Sequence, residues 1–185
     1  MPNAKGTTLL GAVRFLRHHR ERALEHLKPE LHRYLDERIL EAKWYPEADL
    51  LALIEAMLPL IAGPRDEVLA SMGVQTAREH LQGIYSHLSG GRGATPSPSQ
   101  AFALWASQHD TGRLKIESCE PGEMVMTVRE FGHPSQTMCA IFGGYFAELL
   151  RLQGARDVSV TKRECVLRGA PQCSWSLKSR VDAPA

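Results

Sequence analysis

Ser135-Gln-Thr-Met138-Cys139-Ala-Ile141-Phe142-Gly143-Gly144-Tyr145-Phe146-Ala-Glu-Leu149-Leu150-Arg-Leu152 decides how the rest of this chain is read. Met138, Ile141, Phe142, Tyr145, Leu149 and Leu152 recur at helical spacing and make one apolar stripe, which Cys139, Phe146 and Leu150 widen past half the circumference. A helix this apolar is buried on more than one side. A sheet can cover one side, which leaves the second for the N-terminal helices, a partner chain or a ligand. Gly143 and Gly144 sit mid-helix, where each costs about 1 kcal/mol relative to alanine. Such a pair permits close backbone approach, and suits either tight helix–sheet packing or the wall of a pocket. It is not a phosphate loop, which would precede the helix. Gly154 closes the segment.

On both sides of this helix the period is two. Leu114, Ile116 and Ser118 alternate with Lys115, Glu117 and Cys119; Pro121-Gly122 is a turn signal; Met124, Met126 and Val128 then alternate with Val125, Thr127 and Arg129. This predicts a hairpin. After the helix, Val158 and Val160 share one face of a strand, and Cys173, Trp175 and Leu177 share a face of another. The expected module is β-β-α-β-β, with an antiparallel sheet packed against the long helix.

The first half reads as helices: one capped by Thr7 or Thr8, one opening at Pro29 with Leu31, Leu35 and Ile39 on one side, one from Glu47 to Ile61, and one from Arg65 to His87 with a kink at Gly73. Trp44-Tyr45-Pro46 interrupts them. Ser89 to Ser99, rich in Gly, Ser and Pro, reads as a loop or subdomain boundary, after which Ser97 or Ser99 caps a short helix bearing Phe102, Leu104 and Trp105. The predicted class is α+β: a helical region over 1–94, a ligand-binding module over 95–179 and a tail over 180–185, together one compact unit.

Composition narrows the function classes. The net charge of +1 supplies no field to attract nucleic acid or an anionic membrane. The basic stretch Arg14–Arg22 is diluted by Glu21, Glu25, Glu30 and Asp36 and reads as a solvated helix face. Leu50–Ala62 is interrupted by Glu55 and Pro59, too short to span a bilayer, and the N-terminus lacks a signal peptide, so a cytoplasmic location is expected. In that setting the four cysteines are thiols or metal ligands rather than disulfides. Cys165 and Cys173 flank the turn Arg168-Gly169-Ala170-Pro171, and Cys139 joins them if the helix packs across that edge. Three thiolates and one further donor would hold zinc; alternatively the three are small buried core residues.

The run from Cys139 to Leu150, Val158-Ser-Val160, and Glu164-Cys165-Val-Leu-Arg-Gly169-Ala-Pro-Gln-Cys173-Ser-Trp resembles the 4-vinyl-reductase-type domain, over about 70 residues. That domain belongs to a superfamily that also resembles haem–nitric-oxide-binding domains and TRAPP-type tethering subunits. The N-terminal Leu9-Leu10, Arg14-Phe15-Leu16-Arg17 and Trp44-Tyr45-Pro46 resemble a myxobacterial paralogous family. The first resemblance implies phenol-like ligands, dimerisation and a structural zinc whose cysteines fall on Cys139, Cys165 and Cys173. Its fourth ligand falls on Lys162, which cannot ligate zinc; His133, Glu164 or water would have to substitute. Haem is not expected: Tyr85-Ser86-His87-Leu88 does not supply the Tyr-x-Ser-x-Arg motif of the haem-binding relatives, although His80, His87 and His109 are candidate axial ligands.

No Gly-x-Ser-x-Gly elbow, His-Glu-x-x-His or Walker loop occurs. The expected function is a non-enzymatic sensor or adaptor for a small apolar, aromatic or lipid-like molecule, acting through a protein partner as a homodimer. Phe102, Trp105, Met124, Met126, Phe142, Tyr145, Phe146 and Trp175 are the expected ligand contacts, with Tyr145 or His109 as polar anchor. A dimeric scaffold without a ligand, and a small enzyme acting on a tetrapyrrole or lipid, are the alternatives.

Overall fold

The computed structural model describes residues 1–83, 85–88, 97–120 and 122–180. Of the loop expected over 89–99, residues 89–96 lie outside them, as do the 94/95 boundary and the residues after 180, whereas residues 98–99 open a helix. The chain runs β1 (Asn3–Lys5), α1 (Gly6–His18), α2 (Arg20–His26), α3 (Arg33–Asp36), β2 (Trp44–Pro46), α4 (Glu47–Met57), α5 (Arg65–Gln82), α6 (Pro98–Ala106), β3 (Arg113–Glu120), β4 (Glu123–Arg129), α7 (Gln136–Leu152), β5 (Arg156–Glu164) and β6 (Cys173–Arg180). This is the α+β arrangement that the sequence predicts, with the β-β-α-β-β module in its second half.

The large sheet is antiparallel in the order β3-β4-β6-β5. Its register lines up Leu114 with Val128, Ile116 with Met126, Met126 with Trp175 and Met124 with Leu177, so one face is an apolar band. α7 lies on that band, and its start is fixed by Ser135, whose hydroxyl accepts from the Met138 N–H at 3.0 Å. The second apolar side of α7 is covered by α5. There Gly73 and Gly144 bring two backbones together: a Cβ on Gly144 would stand 2.0 Å from the Ala70 carbonyl oxygen, and one on Gly73 would stand 2.0 Å from that of Ile141. Gly143 faces the other way, toward Trp175 at 3.5 Å. The glycine pair therefore serves both packing surfaces, with the tight approach on the helix–helix side. Glu148, buried, accepts from Arg78 Nε at 2.7 Å across the same seam.

The bounds of four first-half helices need correction. α1 starts at Gly6, before the threonines, because β1 feeds straight into it. The helix expected after Pro29 is a 3-10 turn followed by the single-turn α3. Arg17 of α1 donates to the carbonyls of Tyr34 and Glu37 there, which stops the helix. Trp44-Tyr45-Pro46 interrupts the helices as expected, as strand β2 paired antiparallel with β1. α4 ends at Met57, with Pro59 in a 3-10 turn, and α5 ends at Gln82. Among the described residues, no helix is long and apolar enough to cross a membrane.

Candidate functional site

Between the pair α1/α4 and the pair α5/α7 lies a cavity of about 560 Å³, within the range typical of small-molecule sites. α1 forms one wall with Thr8, Gly11 and Phe15; α5 forms the facing wall with Glu67, Ser71, Gln75 and Glu79. The floor is Leu50, Ile54 and Met57 of α4 with Met138, Ile141 and Phe142 of α7. The inner end is closed by Leu104, Trp105, Gln108 and His109. Exposed Gly11, Glu67, Gln75 and Glu79 mark the mouth.

The inner end carries a linked set of buried polar groups. His109 Nδ1 lies 2.6 Å from Glu47 Oε1, with side chains only 3% and 1% exposed. Glu47 occupies one ring nitrogen, and Nε2 remains as an acceptor in neutral imidazole or a donor in imidazolium. The His109 ring stacks on Trp105, centroids 4.5 Å apart, and Trp105 is fixed by its indole N–H donating to the Thr111 carbonyl at 2.9 Å. Gln108 Nε2 donates to Tyr145 Oη at 3.1 Å. Burial holds the Tyr145 phenol well above its ordinary pKa, so it stays neutral.

The N-terminal segment positions this end. The Lys5 N–H donates to the Gln108 carbonyl at 2.9 Å, the Asp110 N–H to the Asn3 carbonyl at 3.1 Å, and the Glu47 N–H to the Pro2 carbonyl at 3.0 Å. One short segment thus holds both partners of the Glu47–His109 pair, 62 residues apart in sequence.

Of the sequence-predicted contacts, the structure brings Trp105, Phe142, Tyr145 and Phe146 to the cavity. Met124, Met126 and Trp175 are buried in the sheet face beneath α7 and do not line it, because α7 stands between. Phe102 is a correction: at 50% exposure it points outward from α6. Sequence reasoning missed Glu47, Gln108 and the α1 and α5 walls. An acid in a first helical turn is ordinary, so Glu47 carries no local signal.

Beside the cavity, His80 on α5 is buried with no partner for Nδ1, its ring edge-on to Tyr85 and Tyr145. Burial lowers its pKa from 6.5 to about 4. The folded state holds His80 neutral while the unfolded chain protonates it, so its stabilisation is complete above pH 6.5 and is lost as pH falls toward 4. The loss across that window is expected to be about 3 kcal/mol. Chemical denaturation at pH 7 and pH 4 measures it, and His80→Phe should remove this part of the pH dependence.

Near the N-terminal end of α7 but outside the cavity lining, Cys139, Cys165 and Cys173 come together as the sequence suggests, their sulfurs all within 4.8 Å. The group could hold a metal ion. Burial pushes the Cys139 thiol up to about 12 against the pull of the Lys162 ammonium. Burial also raises Cys165, but hydrogen bonds from the Leu167 N–H and Cys173 outweigh it and leave Cys165 below its ordinary value.

Solved structures of H-NOX proteins share this fold. An oxygen-binding H-NOX domain related to soluble guanylate cyclases is 14% identical, with a TM-score of 0.64, covering 98% of this chain and 99% of its own. The H-NOX protein from S. oneidensis in the Fe(II) ligation state is 13% identical, with a TM-score of 0.63, covering 97% of each chain. A point mutant of T. Tengcongensis H-NOX is 15% identical, with a TM-score of 0.66, covering 97% of this chain and 100% of its own. The likeness is one of fold, over 97–98% of this chain. No family model and no curated protein matches the chain. Neither the 4-vinyl-reductase-type nor the myxobacterial resemblance is supported by these comparisons.

The cavity residues fit haem poorly. His109 lines the cavity and its Nδ1 bond to a carboxylate is a common support for an axial ligand. The two propionates, however, need cationic partners. Among the described residues that line the cavity no lysine or arginine occurs, and its charged rim is Glu67 and Glu79. The Arg14 cation beside that rim is already paired with Glu79 at 3.6 Å.

Proposed function

We propose that this chain is a non-enzymatic sensor or adaptor that binds one small, predominantly apolar molecule between α1/α4 and α5/α7 and signals through a protein partner. The carrying observation is the 560 Å³ cavity, apolar along its floor, with polar side chains at its inner end and along the α1 and α5 walls. Such a site orients a ligand whose single polar group reaches His109, Gln108 or Tyr145 while its body is desolvated against Phe142, Ile141 and Leu50. At the rim the Arg14 guanidinium lies 3.6 Å from Glu79, so the charges there are partly neutralised and a neutral ligand suits the mouth. A ligand there would touch both helical pairs at once, so its binding free energy would bias how they sit together.

The test uses a neutral apolar fluorophore, N-phenyl-1-naphthylamine. Saturable binding at one site per chain is expected, with quenching of Trp105 emission. Gly11 lies at the mouth and a Cβ there meets nothing within 4 Å, so Gly11→Trp should plug the cavity without disturbing the fold. It is expected to weaken probe binding by at least about tenfold, roughly 1.4 kcal/mol, with an unchanged unfolding midpoint. Undiminished binding by Gly11→Trp would sink the assignment. Native mass spectrometry of freshly purified protein separates this reading from a ligand-free scaffold.

A further inference from the structure

The thiol corner is unused by the cavity and has an unusual donor set. Cys139 Sγ lies 3.8 Å from Cys173 Sγ, which lies 4.0 Å from Cys165 Sγ. All three sulfurs lie within 4.8 Å of one another, close enough for small side-chain shifts to gather them around one thiophilic centre with bonds of about 2.3 Å. Zinc, however, takes a fourth ligand. Among the described residues no histidine or carboxylate joins the group. Glu164 is turned to the outer sheet face, accepting from Gln172 at 2.9 Å and Ser174 at 2.8 Å. Against the cluster stands instead the Lys162 ammonium, 3.3 Å from Cys139 Sγ and 3.3 Å from the centroid of the Trp175 ring. An ammonium has no lone pair to offer a metal and repels a cation.

We propose that Cys139, Cys165 and Cys173 form a site for a three-coordinate thiophile, trivalent arsenic, and not for tetrahedral zinc. Arsenous acid, As(OH)3, reacts with three thiols by exchange: each sulfur forms an As–S bond, each As–OH bond breaks, and each thiol proton leaves with the departing hydroxide. The products are one As(S-Cys)3 centre and three waters; no electron is transferred. The centre is neutral, which suits a site with two buried cysteines, because net charge is costly to bury. Arsenic keeps a lone pair in its fourth direction and needs no ligand there, so a lysine beside the site is no obstacle. Cys139, the half-buried member, gives the reagent access.

The experiment treats the reduced full chain with arsenous acid, with and without excess zinc, and reads native mass spectra and arsenic X-ray absorption. The expected result is one arsenic per chain, retained against zinc, with three sulfur neighbours. Cys139→Ala is expected to weaken binding on the order of 100-fold while circular dichroism stays unchanged. Displacement of arsenic by zinc, a two-sulfur shell, or full affinity in Cys139→Ala overturns the proposal. The absorption measurement needs no variant, so a misfolded mutant does not leave the question open. Failure here leaves the cavity reading intact, because the two sites share no residue.

Discussion

Gly144→Ala is expected to destabilise the protein by about 3 kcal/mol, whereas Gly143→Ala, one residue earlier in the same helix, is expected to stabilise it by up to about 1 kcal/mol. The opposite signs follow from geometry. A methyl on Gly144 would lie 2.0 Å from the Ala70 carbonyl oxygen, which is backbone and cannot rotate away, so α5 and α7 would have to separate. A methyl on Gly143 would meet the Trp175 ring at 3.5 Å, ordinary contact distance, and the helix would gain alanine's higher propensity. Gly73→Ala should behave like Gly144→Ala, since it strikes the Ile141 carbonyl from the other side of the same crossing. Because α7 forms the cavity floor, the destabilising pair should also lose probe binding. Urea unfolding of the three variants decides the matter: equal effects from Gly143→Ala and Gly144→Ala would contradict the crossing.

Glu47→Leu is expected to cost about 3 kcal/mol, near the upper end for stranding a buried polar partner. His109 would keep a buried Nδ1 with no partner, 3% exposed beneath Trp105 and Phe142. Glu47→Gln, which retains an oxygen acceptor at the same reach, should recover most of that loss. The two variants also separate structure from recognition. If the pair orients Nε2 toward a ligand's polar group, Glu47→Gln should fold well yet shift affinity for hydroxylated ligands more than for pure hydrocarbons of equal size. Identical shifts for both ligand types would remove His109 as the polar anchor.

The parts of the fold legible in the sequence are those whose partners cannot change the local pattern. α7 is apolar over more than half its circumference, and β3–β4 alternate cleanly, so each announces itself whatever covers it. β1 and β2 are three residues each, too short for a period, and exist because the chain returns through α1, α2 and α3 to pair them. The helix expected after Pro29 fails for a similar reason: the Arg17 guanidinium from α1 captures the Tyr34 and Glu37 carbonyls, a contact no local window reveals.

The site divides along the same line. Aromatic residues at helical spacing pointed correctly to Trp105, Phe142, Tyr145 and Phe146 as large buried groups, but spacing gives a face and not what lies over it. Met126 and Trp175 share the inner sheet face and end beneath a helix, whereas Phe142 ends beneath a void. The three cysteines were legible because two flank one tight turn and the third opens a helix lying across it. Lys162 stood out as the wrong residue for a zinc ligand; its seat on the Trp175 ring required the structure.

The central claim, that the space between α1/α4 and α5/α7 is a ligand site, is tested most directly by a crystal structure of the chain grown with N-phenyl-1-naphthylamine. The account predicts one probe molecule inside the cavity, its rings against Phe142 and Trp105 and its amine toward the His109 end. A cavity collapsed onto its own side chains, with the probe absent or bound elsewhere, would contradict it.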